Sequence, residues 1–174
     1  MKKLSVLVLL FTMSLVVFAQ SKKDKEIIKE GKDAKKGFLS TDKGMDKFFN
    51  SSYGYVIFPN VGKGGLGVGG ASGNGAVYRQ GKLVGMAKLS QLSIGFQAGG
   101  QSFREIVFFE DQDGFERFAE NKIEFAAQVS AVAAAAGVSA DAKYVEGVAV
   151  FTMAKGGLMY QASVGGQKFK FEPF

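Results

Sequence analysis

The chain contains no cysteine and no histidine among its 174 residues. Without cysteine there is no disulfide, no thiol nucleophile, no thiolate metal site and no lipidated lipoprotein cysteine. Without histidine, Ser-His-Asp triads, imidazole acid–base catalysis and His-ligated metals are closed off as well. An enzyme would have to run on carboxylates, Lys, Tyr or Ser alone. The main acidic cluster, Glu110, Asp111 and Asp113 in FFEDQDGFERF, offers D-x-D-G but lacks the other ligands of a twelve-residue calcium loop. It reads as a strand end running into a short helix over Phe115 to Ala119, with Asp113 as the cap. These absences point away from an enzyme and call for no cofactor and no metal.

A second absence concerns a helix. The stretch NVGKGGLGVGGASGNG contains a formal G-x-G-x-x-G at Gly62, Gly64 and Gly67, and YGYVIFP before it suits a strand. A phosphate-binding loop also needs the N-terminus of a following helix. From Gly64 to Leu83 the chain instead carries glycines and turn signals such as Asn74-Gly75 and Gln80-Gly81-Lys82, with no apolar repeat at helical spacing. Hairpins fit this stretch and a nucleotide does not.

The start of the chain is different in kind. MKKLSVLVLLFTMSLVVFAQ has basic Lys2 and Lys3, an apolar run from Leu4 to Phe18, and Val17 and Ala19 as a V-x-A cleavage site. Residues 1–19 therefore read as a secretory signal peptide, rather short to serve as a membrane-spanning helix. The expected product is an exported protein, periplasmic or extracellular. The remaining length suits one ordinary domain with a real core.

The formal net charge is +6, and subtracting Lys2 and Lys3 leaves +4. Most of it lies at one end, since residues 22–47 hold nine lysines against six acids. In this segment, residues 20–50, Ile27, Gly31, Ala34 and Phe38 recur at i, i+4, i+7 and i+11, while Lys22, Lys23, Lys25, Lys29, Lys32, Lys35 and Lys36 surround them. The pattern is a basic amphipathic helix, followed by a second short helix through Met45, Phe48 and Phe49. Two fates remain open for its thin apolar stripe: docking on the rest of the domain, or contact with an anionic membrane through Ile27 and Phe38.

Residues 51–174 turn to strands. SQLSIGFQAGG alternates Leu92, Ile94, Phe96 and Ala98 against Ser93, Gly95, Gln97 and Gly99, the period of a half-buried strand. REIVFFED is a continuous apolar run of the kind buried on both faces. The run Ala133 to Ala136 has helical composition but only a weak stripe at Phe125, Val129 and Val132. Near the end, two strands are expected around Gly156-Gly157, then a third at Lys168 to Phe171. In Gly65-Leu66-Gly67-Val68-Gly69 every second residue is glycine, so one strand face would carry no side chains. Such glycines mark tight bends or close backbone approach. The fold class expected is α+β: a strongly curved, barrel-like antiparallel sheet with N-terminal helices.

Three runs together, GYVIFPNVGKGGLGVGGASGNGAVYRQGKLVG, SIGFQAGGQSFREIVFF and VAVFTMAKGGLMYQASVGG, resemble the SYLF family of lipid-binding domains. That family includes a yeast actin-patch protein and animal relatives carrying a Src-homology domain. Pro59, Lys63-Gly64-Gly65, Gly73, Gly75, Gly95, Gly99 and Gly157-Leu158 match its pattern. Leu83 and Met86 stand where the family often has Trp and Pro, and Gln161 where glycine is common. On the same likeness Ala133 to Ala136 is expected to be a strand. The resemblance implies phospholipid binding, with phosphoinositides as the ligands of eukaryotic members, and membrane contact by an N-terminal amphipathic helix.

The expectation is thus a non-enzymatic domain whose partner is an anionic phospholipid or membrane surface. The residues nominated are the lysines named above together with Lys63, Arg79 and Lys82, and the apolar pair Ile27 and Phe38. A structural module that binds an envelope protein is the alternative. Actin is not carried over to an exported chain, and nucleic acid does not fit the balanced charge of the strand region.

Overall fold

The structure, a computed structural model, describes residues 21–66, 68–94, 101–123, 131–155 and 164–174. The leader, Gly67, Gly95, Phe96, Ala98, Gly99, Phe125, Val129, the Gly156-Gly157 turn, Leu158 and Gln161 lie outside the described residues.

Helix α1 (Lys22–Thr41) starts at a capping box. The Ser21 hydroxyl accepts from the Asp24 N–H at 3.0 Å, and the Asp24 carboxylate accepts from the Ser21 N–H at 3.0 Å. Two donors that would otherwise lack partners are thereby satisfied, so the basic segment has a defined start. Helix α2 (Met45–Ser51) follows, then the strands β1 (Gly54–Leu66), β2 (Val68–Arg79), β3 (Lys82–Ile94) and β4 (Gln101–Phe109). Helix α3 (Gln112–Ala119) precedes β5 (Val132–Ala133), a 3-10 turn at Val138–Ala140, β6 (Val148–Ala154) and β7 (Gln167–Pro173).

The strands form one sheet in the order β5-β6-β4-β1-β2-β3-β7, antiparallel except for the short β5–β6 pair. Its edges are β5 and β7, and no ladder among the described residues joins them, so the sheet is open and not a closed barrel. Alternation along the strands gives it two apolar faces. On one, Tyr55, Ile57, Ile106, Phe108 and Phe151 meet Ala34, Phe38, Met45, Phe48 and Phe49 of α1 and α2. On the other, Val56, Phe58, Val77, Leu89, Val107, Phe109 and Phe169 surround Phe115 and Phe118 of α3. Strand β4 serves both, which is why its sequence reads as an unbroken apolar run.

The second face is concave. Although β1, β2 and β3 separate β4 from β7 in the sheet, Gln167 of β7 donates to the Glu105 carboxylate of β4 at 3.0 Å. The rings of Phe58 and Phe169 also approach, with centroids 5.9 Å apart.

The glycine-rich stretch is a hairpin, β1–β2, with Leu66 opposite Val68, and no helix follows it. A phosphate loop is therefore absent. Gly73 and Gly75 are not turn residues but lie within β2. A Cβ on Gly75 would stand 2.6 Å from the Ile57 carbonyl oxygen and 2.7 Å from the Phe58 ring; Gly62 and Gly64 meet nothing within 4 Å. Close approach is thus real at Gly73 and Gly75 within β2, while Gly67, for which it was expected, lies outside the described residues. The turn signal that holds is Gln80-Gly81, where φ of 49° and 75° suits a tight hairpin between Arg79 and Lys82.

Three further expectations are corrected. Leu92 is 83% exposed, whereas Ala87, Leu89 and Gln91 face the core, so the buried parity of β3 is opposite to the apolar pattern of SQLSI. Gln91 can occupy that face because its amide donates to the Gly165 carbonyl at 2.8 Å. The alanine run yields only the two-residue β5, after which the chain turns at Gly137 with φ of 80°. Helix α3 begins at Gln112 and is capped by Asp111, whose carboxylate accepts from the Gly114 N–H at 2.9 Å; Asp113 is exposed and is not the cap.

Candidate functional site

Helix α1 is docked on the sheet. Gly31, Ala34 and Phe38 are buried, and Phe38 is fully enclosed. Glycine at position 31 lets the helix lie close, since a Cβ there would stand 3.9 Å from Ile57 and 4.0 Å from Ala76. Glu30 accepts from the Asn60 amide at 2.6 Å, and Asn60 accepts from the Lys155 ammonium, so a polar chain fixes α1 across β1 toward β6. Phe38 is therefore unavailable to a membrane in this arrangement, contrary to its nomination as an apolar contact. Ile27, nearer the start of the helix, is half-buried.

Docking sorts the lysines. Lys22, Lys25, Lys29, Lys32 and Lys36 are all exposed and spaced 3, 4, 3 and 4 residues apart, the spacing of a single helical face. At 1.5 Å per residue they form a row about 21 Å long, turned away from the sheet. Asp33 pairs with Lys36 at 3.6 Å, both side chains remaining largely exposed. Such a pair contributes little, and the row stays strongly cationic.

Lys23 and Lys35 leave the row. The Lys35 ammonium sits 4.2 Å from the centre of the Phe49 ring and donates to the Tyr55 hydroxyl at 3.4 Å. Burial pulls the Lys35 pKa below its usual value, against the opposing pull of Asp46. Burial also pushes the Tyr55 hydroxyl up to about 12, with its stacked neighbour Tyr78 adding to the effect. Lys35 is a docking residue, not a surface contact.

The other nominated cations do not join the helix row as one site. Lys63 is half-buried on β1, opposite Ala71 and Gln101. Arg79 and Lys82 flank the β2–β3 turn at the other end, where Arg79 pairs with Gly54. Nine residues of strand, about 30 Å, separate the two positions. Arg79 lies over Phe115 at 5.9 Å and borders a cavity of about 400 Å³ walled by Tyr53, Leu83, Phe115 and Phe171.

A second basic group was not singled out in the sequence. Lys88 on β3 and Lys170 on β7 are cross-strand neighbours sharing Glu172, at 2.8 and 3.2 Å, and the exposed Lys168 lies beside them. Period-2 alternation in KFKF is the signal that could have found it.

Among the described residues no cluster of three or more His, Cys, Asp or Glu could hold a metal, and no helix is long and apolar enough to cross a membrane. What the geometry defines is an α+β domain presenting a rigid cationic helix face. Residues 90–172 match the Ysc84 family model, described as Las17-binding protein actin regulator, so the SYLF resemblance is shown over that segment. The chain is also 28% identical over 122 residues to beta cell expansion factor A of Aeromonas veronii, a match covering 70% of this chain and 46% of that protein. The chain thus spans about half the length of this curated relative. SYLF is a family of binding domains, generally lipid-binding.

Proposed function

We propose that this protein is an exported, non-enzymatic domain that associates reversibly with anionic phospholipid surfaces through the outward lysine row of α1. The observation carrying the proposal is that Lys22, Lys25, Lys29, Lys32 and Lys36 share one exposed face of a helix whose opposite face is docked. A docked helix cannot insert Phe38, so attraction to the surface is electrostatic. Each lysine near such a surface contributes roughly 1 kcal/mol, enough in sum for peripheral, salt-sensitive binding. Actin regulation, the property in the family's description, has no counterpart in an exported chain and is left out. Export itself rests on the leader, and sequencing the recovered protein from its N-terminus should find Gln20 first.

Co-sedimentation with vesicles tests the mechanism. The exported protein should bind anionic vesicles more tightly than zwitterionic ones, and salt should weaken the binding. Reversing Lys25, Lys29 and Lys32 to Glu should abolish binding while leaving the melting temperature unchanged. Equal, salt-insensitive binding to both vesicle types would refute the electrostatic mechanism. The docking of α1 also suits a structural module with an envelope protein partner. Intact vesicle binding in the triple variant would favour that second reading.

A further inference from the structure

Glu105 is the one acidic residue of β4, and it is fully buried. Its cross-strand neighbours are Phe58 on β1 and Thr152 on β6, and Gln167 on β7 reaches it across the concave face. Gln167 and Thr152 are fully buried too. Each of the three keeps a buried oxygen without a hydrogen-bond partner: Glu105 Oε1, Gln167 Oε1 and Thr152 Oγ1. Buried polar atoms in native proteins are satisfied almost everywhere, so three unpartnered oxygens on neighbouring side chains need an explanation.

Among the described residues no cation faces the carboxyl: on α3, Arg117 reaches the Glu146 carbonyl and Asp113, and on β3, Lys88 pairs with Glu172. Strand β6 carries no charged residue. On β7, Lys168 and Lys170 are exposed and alternate with the inward Gln167 and Phe169. On β1, the nearest charge is Lys63, paired with Gln101 four residues along β4 from Glu105. Arg104, next in sequence, lies on the opposite face beside Gly37 of α1. An ionised Glu105 would therefore be an unpaired buried charge, whereas a protonated one can donate to an oxygen that otherwise lacks a donor.

We propose that Glu105, Gln167 and Thr152 form a proton-dependent latch inside the curled sheet. The protonated carboxyl holds β7 over β4, and proton loss to solvent favours a state in which β7 is released and the concave apolar face is opened. Burial pushes this carboxyl up to about 8 from an ordinary 4.5, the Gln167 amide opposing the rise. Released, the carboxyl returns to its ordinary range. Between those two values the closed state retains a proton that the released state has lost, so the closed state weakens as pH rises and the effect levels off above the upper value.

The test is hydrogen exchange of the full chain, read as protection factors at the β7 amides of Phe169 and Phe171. With one proton linked to release, protection should fall by about tenfold per pH unit between roughly pH 5 and pH 8 and then flatten. In Glu105→Gln, which keeps the shape and cannot ionise, protection should stay level over the same interval. Parallel pH profiles in the two proteins would overturn the latch. Should Glu105→Gln fail to fold, carbon-13 titration of the wild-type carboxyl decides instead. A midpoint near 8 with protection falling below it supports the latch; a midpoint in the ordinary carboxylate range overturns it.

Discussion

Replacing Phe38 with alanine separates a docked helix from a membrane-inserted one. Phe38 has no exposed surface and lies in the cluster formed by Ile57, Ile106, Phe108 and Phe151 under α1. Transfer of such a side chain out of water is worth about 1.5–3 kcal/mol. The cavity left among aromatic neighbours raises the expected cost to about 3–5 kcal/mol, a large part of a domain's net stability. For a chain of this size the melting temperature should drop by roughly 6–20 °C. Thermal unfolding by circular dichroism measures the drop, and vesicle sedimentation of the folded variant at low temperature gives the second readout. The lysine row lies on the other face, so binding should persist. An unchanged melting temperature with lost vesicle binding would refute docking and return Phe38 to the membrane.

Gly31→Ala should be neutral or stabilising by up to about 1 kcal/mol in urea unfolding, because the added Cβ makes ordinary contacts with Ile57 and Ala76 while a helix-interior glycine is removed. Gly75→Val should lower the melting temperature sharply, since its Cβ would overlap the Ile57 carbonyl and the Phe58 ring, whereas Gly64→Ala meets open space and should cost little. Asp42→Ala should lose roughly 1.5–3 kcal/mol for each charge-assisted hydrogen bond it makes, to the N–H groups of Ser139 at 2.8 Å and Gly44 at 2.9 Å. Burial raises the Asp42 pKa, but these bonds hold it below the ordinary value; its contribution is therefore present above that value and lost as pH falls through the lower one, which acid unfolding of wild type and variant would show.

Much of the architecture was legible because its signals are local. The 3.6-residue stripe gave α1 and its buried face, and the apolar run of β4 announced burial on both sides. The parity of β3 was not legible. An outward Leu92 and an inward Gln91 contradict hydrophobic alternation, and the reason, a hydrogen bond from Gln91 to Gly165, lies 74 residues away. Glu105 was hidden for a related reason. One acid inside an apolar run reads as an interruption, and only the curl that brings Gln167 over it gives it a partner. Among the candidate site residues, charge named the lysines but could not separate Lys35 from the row, because that needs the rings of Phe49 and Tyr55 beneath it.

The docking of α1 links the fold to the proposed activity. A free basic helix would gain its order only at a surface and would offset part of the attraction with the entropy of folding there. Here the capping box, the Gly31–Ala34–Phe38 face and the Glu30–Asn60–Lys155 chain fix the helix beforehand. On the proposed function, the five lysines would meet an anionic surface as a straight array about 21 Å long, with only their side chains left to be ordered. Fixing the helix also withdraws its apolar face, so penetration is given up for a preformed charge pattern. Substitutions that loosen docking should therefore raise insertion while lowering stability, and substitutions in the row should weaken surface attraction while leaving the fold intact.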